Sequence, residues 1–180
     1  MERVRMVFSG AGGQGVITAA IILAEAAVKY EGLIAVQSQS YGPEARGGAT
    51  RSDVIISGDE IMYPKVIQAN VLICLTQEAY NKYASIIRPG GMLITDSRHV
   101  RTERKVDARQ QELPLYQEVM DKIGKQIVFN ICMLGAVNRL VGLVKPDSIL
   151  RILKERLPPD FLEMNQKALN LGIEIAESVA

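Results

Sequence analysis

Gly10, Gly12 and Gly15 stand at the spacing G-x-G-x-x-G, after the short apolar run Val4 to Phe8 and before a long segment rich in Ala and Ile. Strand, tight turn and helix in that order form a place to receive a phosphate. The first glycine lets the backbone reverse, the second lets an anion approach the main chain, and the third lets helix and strand pack closely. The helix N-terminus then offers N–H groups that have no partner in the helix. A complete dinucleotide fingerprint also needs an Asp or Glu about 20 residues further on, at the end of the second strand, to bind the ribose. Here the second strand, Leu33 to Val36, runs into Gln37-Ser38-Gln39-Ser40, which contains no carboxylate. Glu31 precedes Gly32, the expected C-cap of the first helix, and so belongs to the turn before that strand. The loop therefore speaks for a fold, and a glycine turn that holds no ligand accounts for it equally well.

A second segment with chemical potential is Ser38 to Gly48, in which Tyr41, Gly42, Glu44, Arg46, Gly47 and Gly48 surround Pro43 and Ala45. Such a loop can offer backbone N–H groups and one guanidinium to an anion, or grip another subunit. An exposed Glu44–Arg46 ion pair is the plainer alternative, contributing ~0 to 1 kcal/mol. Other chemistry is sparse. Cys74 and Cys132 are the two cysteines, both inside apolar runs, and read as buried reduced thiols. The single histidine, His99, has polar neighbours and no nearby nucleophile, and is expected on the solvated surface. Arg98 to Arg109 is rich in Lys and Arg and reads as a solvated strand-and-loop, with contact to an acidic ligand or partner as the alternative.

These loops must be positioned by regular elements. Helix is expected over Gly13–Tyr30, Gln77–Ile87 (closed by Pro89-Gly90-Gly91), Leu113–Ile123, Asn130–Val144, Asp147–Leu157 and Phe161–Val179. Strands are expected at Leu33–Val36, Thr50–Ile56, Val71–Leu75 and Met92–Thr95, with Ile61–Tyr63 pairing back onto Thr50–Ile56 through the turn Ser57–Glu60. Ile127–Phe129 suits a short strand or the start of a helix. The alternation implies an α/β fold: a Rossmann-like, mostly parallel sheet with helices on both faces and a helical C-terminal extension, in one domain over 1–180. Segments that follow strand ends, Gly10–Gly15, Gln37–Gly48, Thr76-Gln77 and Asp96-Ser97, should share one edge of the sheet.

Lys plus Arg number 21 against 20 acids, so no global field favours nucleic acid or a membrane. The apolar segment Val16–Val28 contains Glu25 and is shorter than the ~20 residues a membrane span needs. The apolar run after Arg3 ends at the glycines, so no secretory leader is expected and a cytoplasmic chain follows.

G-A-G-G-Q-G-V at Gly10 to Val16 and S-Y-G-P-E-A-R-G-G at Ser40 to Gly48, followed by the strand from Thr50, together resemble the gamma subunit of 2-oxoacid:ferredoxin oxidoreductases. The resemblance extends over nearly the whole chain, including Met133-Leu134-Gly135-Ala136 and Asn165 to Gly172. It implies oxidative decarboxylation of a 2-oxoacid with coenzyme A, giving acyl-CoA, carbon dioxide and electrons for ferredoxin, with 2-oxoglutarate favoured over pyruvate or branched-chain acids. Thiamine diphosphate and iron–sulfur clusters would sit in partner alpha, beta or delta subunits, since this chain has neither a G-D-G motif nor four-cysteine spacing. Its own part would be to shape the approach of CoA or to form a subunit interface. The residues concerned would be Gly10, Gly12, Gly13, Gln14, Gly15, Tyr41, Gly42, Glu44, Arg46, Gly47 and Gly48. A free-standing NAD-dependent oxidoreductase, a methyltransferase with its turn at Arg88–Leu93, and a non-catalytic scaffold are the rival readings. The first two lack the acid after the second strand.

Overall fold

A computed structural model describes residues 2–40, 48–102 and 106–179. The chain runs β1 (Val4–Gly10), α1 (Val16–Tyr30), β2 (Ile34–Gln39), β3 (Thr50–Ser57), β4 (Ala69–Cys74), α2 (Gln77–Tyr83), β5 (Ile87–Asp96), β6 (Ala108–Leu113), α3 (Leu115–Lys122), α4 (Phe129–Val141), α5 (Pro146–Arg156) and α6 (Pro159–Glu177). One six-stranded sheet has the order β2-β3-β1-β4-β5-β6. Strand β3 is antiparallel to both β1 and β2, while β1, β4, β5 and β6 are parallel neighbours. The mostly parallel α/β sheet expected from the sequence is present.

Alternation along the strands divides the core in two. Met6 and Phe8 of β1, with Val71 and Ile73 of β4, face a layer made of α1, α3, α4, α5 and α6. Val7, Leu72 and Leu93 face the other way, onto Ala79, Tyr80 and Tyr83 of α2. Helices cover both faces, unequally. The C-terminal helices are no appendage: α4 and α6 share one core with α1 and form most of one layer. They approach so closely that a Cβ on Gly172 would lie 1.9 Å from the Cys132 carbonyl oxygen, and one on Gly135 2.2 Å from that of Leu169.

Two expectations need correction. Ile61–Tyr63 is not a strand: the partners of Thr50–Ser57 are β1 and β2, and the segment 58–68 is irregular. Helix α2 stops at Tyr83 and a 3-10 turn, Ala84–Ile86, leads into β5, so Pro89-Gly90-Gly91 lies within that strand at an irregular register with β4. Of the basic segment read as a solvated strand-and-loop, Ala108 and Arg109 begin β6, a polar edge strand whose ARQQEL lacks the apolar alternation that would mark its full extent to Leu113. Ile127–Phe129 begins a helix, with a 3-10 turn over Gln126–Val128 running into α4.

Candidate functional site

Strands β1, β2, β4 and β5 all end at one edge of the sheet, where β3 begins: Gly10 pairs with Thr50, Ser9 with Cys74, and Cys74 with Thr95. From β1 the chain first builds β2 and β3 on one side and then β4 and β5 on the other. The loop after β1 thus sits at the switch point of the sheet, where open α/β folds place their ligands.

Each glycine of that loop has its own reason. A Cβ on Gly10 would lie 2.4 Å from the Gln14 side-chain oxygen, which folds back to accept the Ala11 N–H at 2.7 Å. Gly15 caps α1 in the left-handed region, φ 71°, and a Cβ there would lie 2.6–2.8 Å from Asn130. The space the third glycine frees is thus filled by a side chain of α4, rather than by the strand the motif leads one to expect. Around Gly12 and Gly13 nothing lies within 4 Å of a Cβ position. No hydrogen bond among the described residues takes up their N–H groups or that of Gly15.

Gly12, Gly13 and Gly15, the first turn of α1, and Ser40, Ala49 and Thr50 line one cleft of about 420 Å³. Both ends of the second glycine-rich loop therefore meet the first. Of the sequence-predicted residues, Gly12, Gly13 and Gly15 line the cleft; Gly10 and Gln14 belong to the same turn but not to the lining, and Gly48 stands next to the lining residue Ala49. Tyr41, Gly42, Glu44, Arg46 and Gly47, and with them the proposed Glu44–Arg46 pair, lie outside the described residues. The cleft has one evident chemical capacity, to receive an anion on N–H donors backed by the positive end of α1. Among the described residues no acidic side chain lines it.

At the same edge stands a constellation that the sequence reading missed. Asp96, fully buried at the end of β5, accepts hydrogen bonds from the backbone N–H groups of Arg98 (3.1 Å), His99 (3.2 Å) and Tyr116 (2.8 Å). His99 is not a free surface residue: its Nδ1 lies 2.7 Å from Asp96 Oδ1 and its ring meets Tyr116 edge-on. Arg98 bonds Gln117 and lies over the Tyr116 ring. An Asp directly after a buried strand, followed by a turn, was the available signal.

Neither cysteine suits a metal. Burial pushes both thiols up to about 12, against slight help to Cys74 from a Ser9 hydroxyl hydrogen bond. Among the described residues no three His, Cys, Asp or Glu side chains gather as a metal site. Two protonated thiols do not fit the four thiolates of an iron–sulfur cluster. No helix of the described residues is long and apolar enough to cross a membrane.

Residues 5–175 match the family described as pyruvate ferredoxin/flavodoxin oxidoreductase. The chain belongs to that family. Within it, the chain is 42% identical to the 2-oxoglutarate synthase subunit KorC of Methanocaldococcus jannaschii, over 95% of this chain and 92% of that one. The corresponding subunit of Archaeoglobus fulgidus is 36% identical, over 99% and 90%. The crystal structure of a keto/oxoacid ferredoxin oxidoreductase gamma subunit from Geobacter sulfurreducens superposes with a TM-score of 0.87 at 42% identity, over 97% of this chain and 99% of that one. The fold also recurs in a 2-oxoglutarate:ferredoxin oxidoreductase from Magnetococcus marinus, solved with 2-oxoglutarate, coenzyme A and succinyl-CoA (TM-score 0.89, 19% identity). There it spans 32% of a longer chain. This member of the family is thus a subunit of a 2-oxoacid:ferredoxin oxidoreductase.

Proposed function

We propose that the chain is the gamma subunit of a 2-oxoglutarate:ferredoxin oxidoreductase, and that its glycine-loop cleft shapes the approach of coenzyme A. The observation that carries the second part is the set of N–H groups of Gly12, Gly13 and Gly15, unpaired among the described residues, around a cleft whose described lining has no acid. Support for the substrate comes from the KorC relatives, which match over almost their entire length.

When bound, thiamine diphosphate supplies the carbanion stabilisation for decarboxylation and iron–sulfur clusters carry the electrons on to ferredoxin. Both groups are assigned to partner alpha, beta or delta subunits, in keeping with the two buried thiols of this chain. What the chain's own residues do is bind and orient. Gly12 and Gly13 present N–H groups to a phosphate, Gly15 admits Asn130 so that α4 braces the start of α1, and Gln14 fixes the turn through Ala11. Arg46, outside the described residues, is proposed to add charge.

The test is the assembled enzyme, co-expressed with its partner subunits and assayed on 2-oxoglutarate, pyruvate and a branched-chain 2-oxoacid. Turnover is expected to be highest on 2-oxoglutarate. A Gly12→Asp enzyme, with a carboxylate aimed at the phosphate position, should show at least about a tenfold higher KM for CoA with the KM for 2-oxoacid unchanged. A CoA KM equal to that of the unsubstituted enzyme would remove the cleft from CoA binding.

A further inference from the structure

Between β3 and β4 the irregular segment 58–68 is anchored by several hydrogen bonds, yet three of its large apolar side chains are exposed. Val66 is buried, and its backbone is clamped from both sides by one ion pair. Asp53 Oδ2 accepts the Val66 N–H at 3.1 Å, and Arg51 Nη2 donates to the Val66 carbonyl at 2.6 Å. Arg51 in turn grips Asp53 through two hydrogen bonds, of 2.6 and 2.9 Å. Arg3 adds a bond to the Glu60 carbonyl, and the Ser38 hydroxyl one to that of Pro64. Around this anchor Met62 is 80%, Tyr63 55% and Ile67 71% exposed. A tethered loop that leaves three large apolar side chains in water gains nothing for the isolated fold. It is preorganised to meet something.

The charge beside these side chains says what. Tyr63, Lys65 and Ile67 form a ridge that also borders a cavity of about 470 Å³ lined by Arg5 and Arg88. Among the described residues none of Arg5, Lys65 or Arg88 has an ion-pair partner, and no carboxylate lines that cavity. The acids nearest in sequence, Asp59 and Glu60, stand at the start of the segment, outside the cavity lining. Exposed Met, Tyr and Arg with few acids is the composition of a protein interface. A second copy placed ridge to ridge would bring these cations onto their own equivalents, which repel.

We infer that the Met62–Ile67 ridge is a docking surface for another subunit of the same oxidoreductase, one that offers an apolar seat rimmed by carboxylates. This rests on the chain being a subunit of a multi-chain enzyme. The ridge packs on the α2 face of the sheet, through Val66 and Tyr83; the Arg5–Arg88 cavity shares no lining residue with the glycine cleft, while a second cavity of about 720 Å³ beside the ridge extends to Ser40 at the rim of that cleft.

The test measures dissociation constants between the purified chain and the remaining co-expressed subunits, at low and high salt. Ile67→Asp should weaken association at least about tenfold, as for a central apolar contact. Lys65→Glu combined with Arg88→Glu should weaken it at low salt and flatten its salt dependence. Both variants alter exposed side chains, and the free chains should keep the parent melting temperature. Unchanged constants for both variants, with the parent chain binding, would overturn the inference and leave the subunit reading standing. A parent chain that binds no subunit would overturn both. A homodimer of the free chain broken by Ile67→Asp, or displacement by inorganic pyrophosphate with Ile67→Asp binding normally, would also overturn it, by assigning the ridge to a second copy or to a small anion.

Discussion

Gly12 and Gly15 look alike in the sequence and do opposite things. Gly15 is required by the fold: φ is 71° and Asn130 occupies the space a side chain would need. Gly15→Ala should therefore destabilise the chain by about 2–4 kcal/mol, combining left-handed strain with displacement of a neighbour. Gly12 has nothing around its Cβ position, and Gly12→Ala should stay within about 0.5 kcal/mol of the parent in urea denaturation. Equal losses for the two would mean that the openness at Gly12 is not a property of the folded loop. The sequence pattern placed all the glycines, but it could not tell these roles apart, because Asn130 arrives from more than a hundred residues away. His99 was misplaced for the same reason: its neighbours in sequence are polar, and its partner Asp96 is fully buried.

Among the elements, α4 and α6 depend on contact that only glycine permits. A methyl at Gly172 would lie 1.9 Å from the Cys132 carbonyl oxygen and 2.8 Å from the Ala136 nitrogen, both backbone atoms that cannot turn aside. Gly172→Ala should cost about 2–4 kcal/mol by forcing the helices apart, despite the higher helix propensity of alanine. A gain in melting temperature would show that the helices can separate at no cost. The helices were legible because their apolar positions recur at three and four, and β4 because VLIC is buried on both faces. The place of β3 was not. Its alternation is the same whether it pairs with Ile61–Tyr63 or with β1 and β2, and Ser57–Glu60 looks like a hairpin turn. What decides is the Arg51–Asp53 clamp on Val66, which pulls the following segment off the sheet. Strand β6 was legible only as the strand part of a solvated strand-and-loop, without its bounds, because an edge strand facing water needs no apolar stripe.

In the molecule as a whole, α5 is fastened to α1 by carboxylates. Hydrogen bonding to Arg156 holds Glu25 below its ordinary value of 4.5, and the Lys29 and Tyr30 side chains do the same for Glu155. The Ser148 hydroxyl, with the Lys145 N–H, lowers Glu31. Folded-state values below those of the unfolded chain mean that this stabilisation is present in full above about pH 4.5 and is lost as pH falls through the lowered values. The urea midpoint should therefore fall on acidification below that point, and Glu31→Gln should show a shallower fall. An identical acid profile for Glu31→Gln would remove the Glu31–Ser148 contact from the account.

At this scale the chain is an accessory piece of a larger enzyme: a nucleotide-shaped edge without the ribose carboxylate, two inert thiols, and a cleft of open N–H groups. Whether this cleft faces coenzyme A is decided by amide hydrogen exchange on the assembled enzyme with and without CoA, read on the peptide covering Ala11–Thr18. Exchange at Gly12, Gly13 and Gly15 should slow at least about fivefold on CoA addition, as N–H groups engaged by a phosphate must. Unchanged exchange with CoA, together with protection of the same amides by NAD in the lone chain, would contradict that contact.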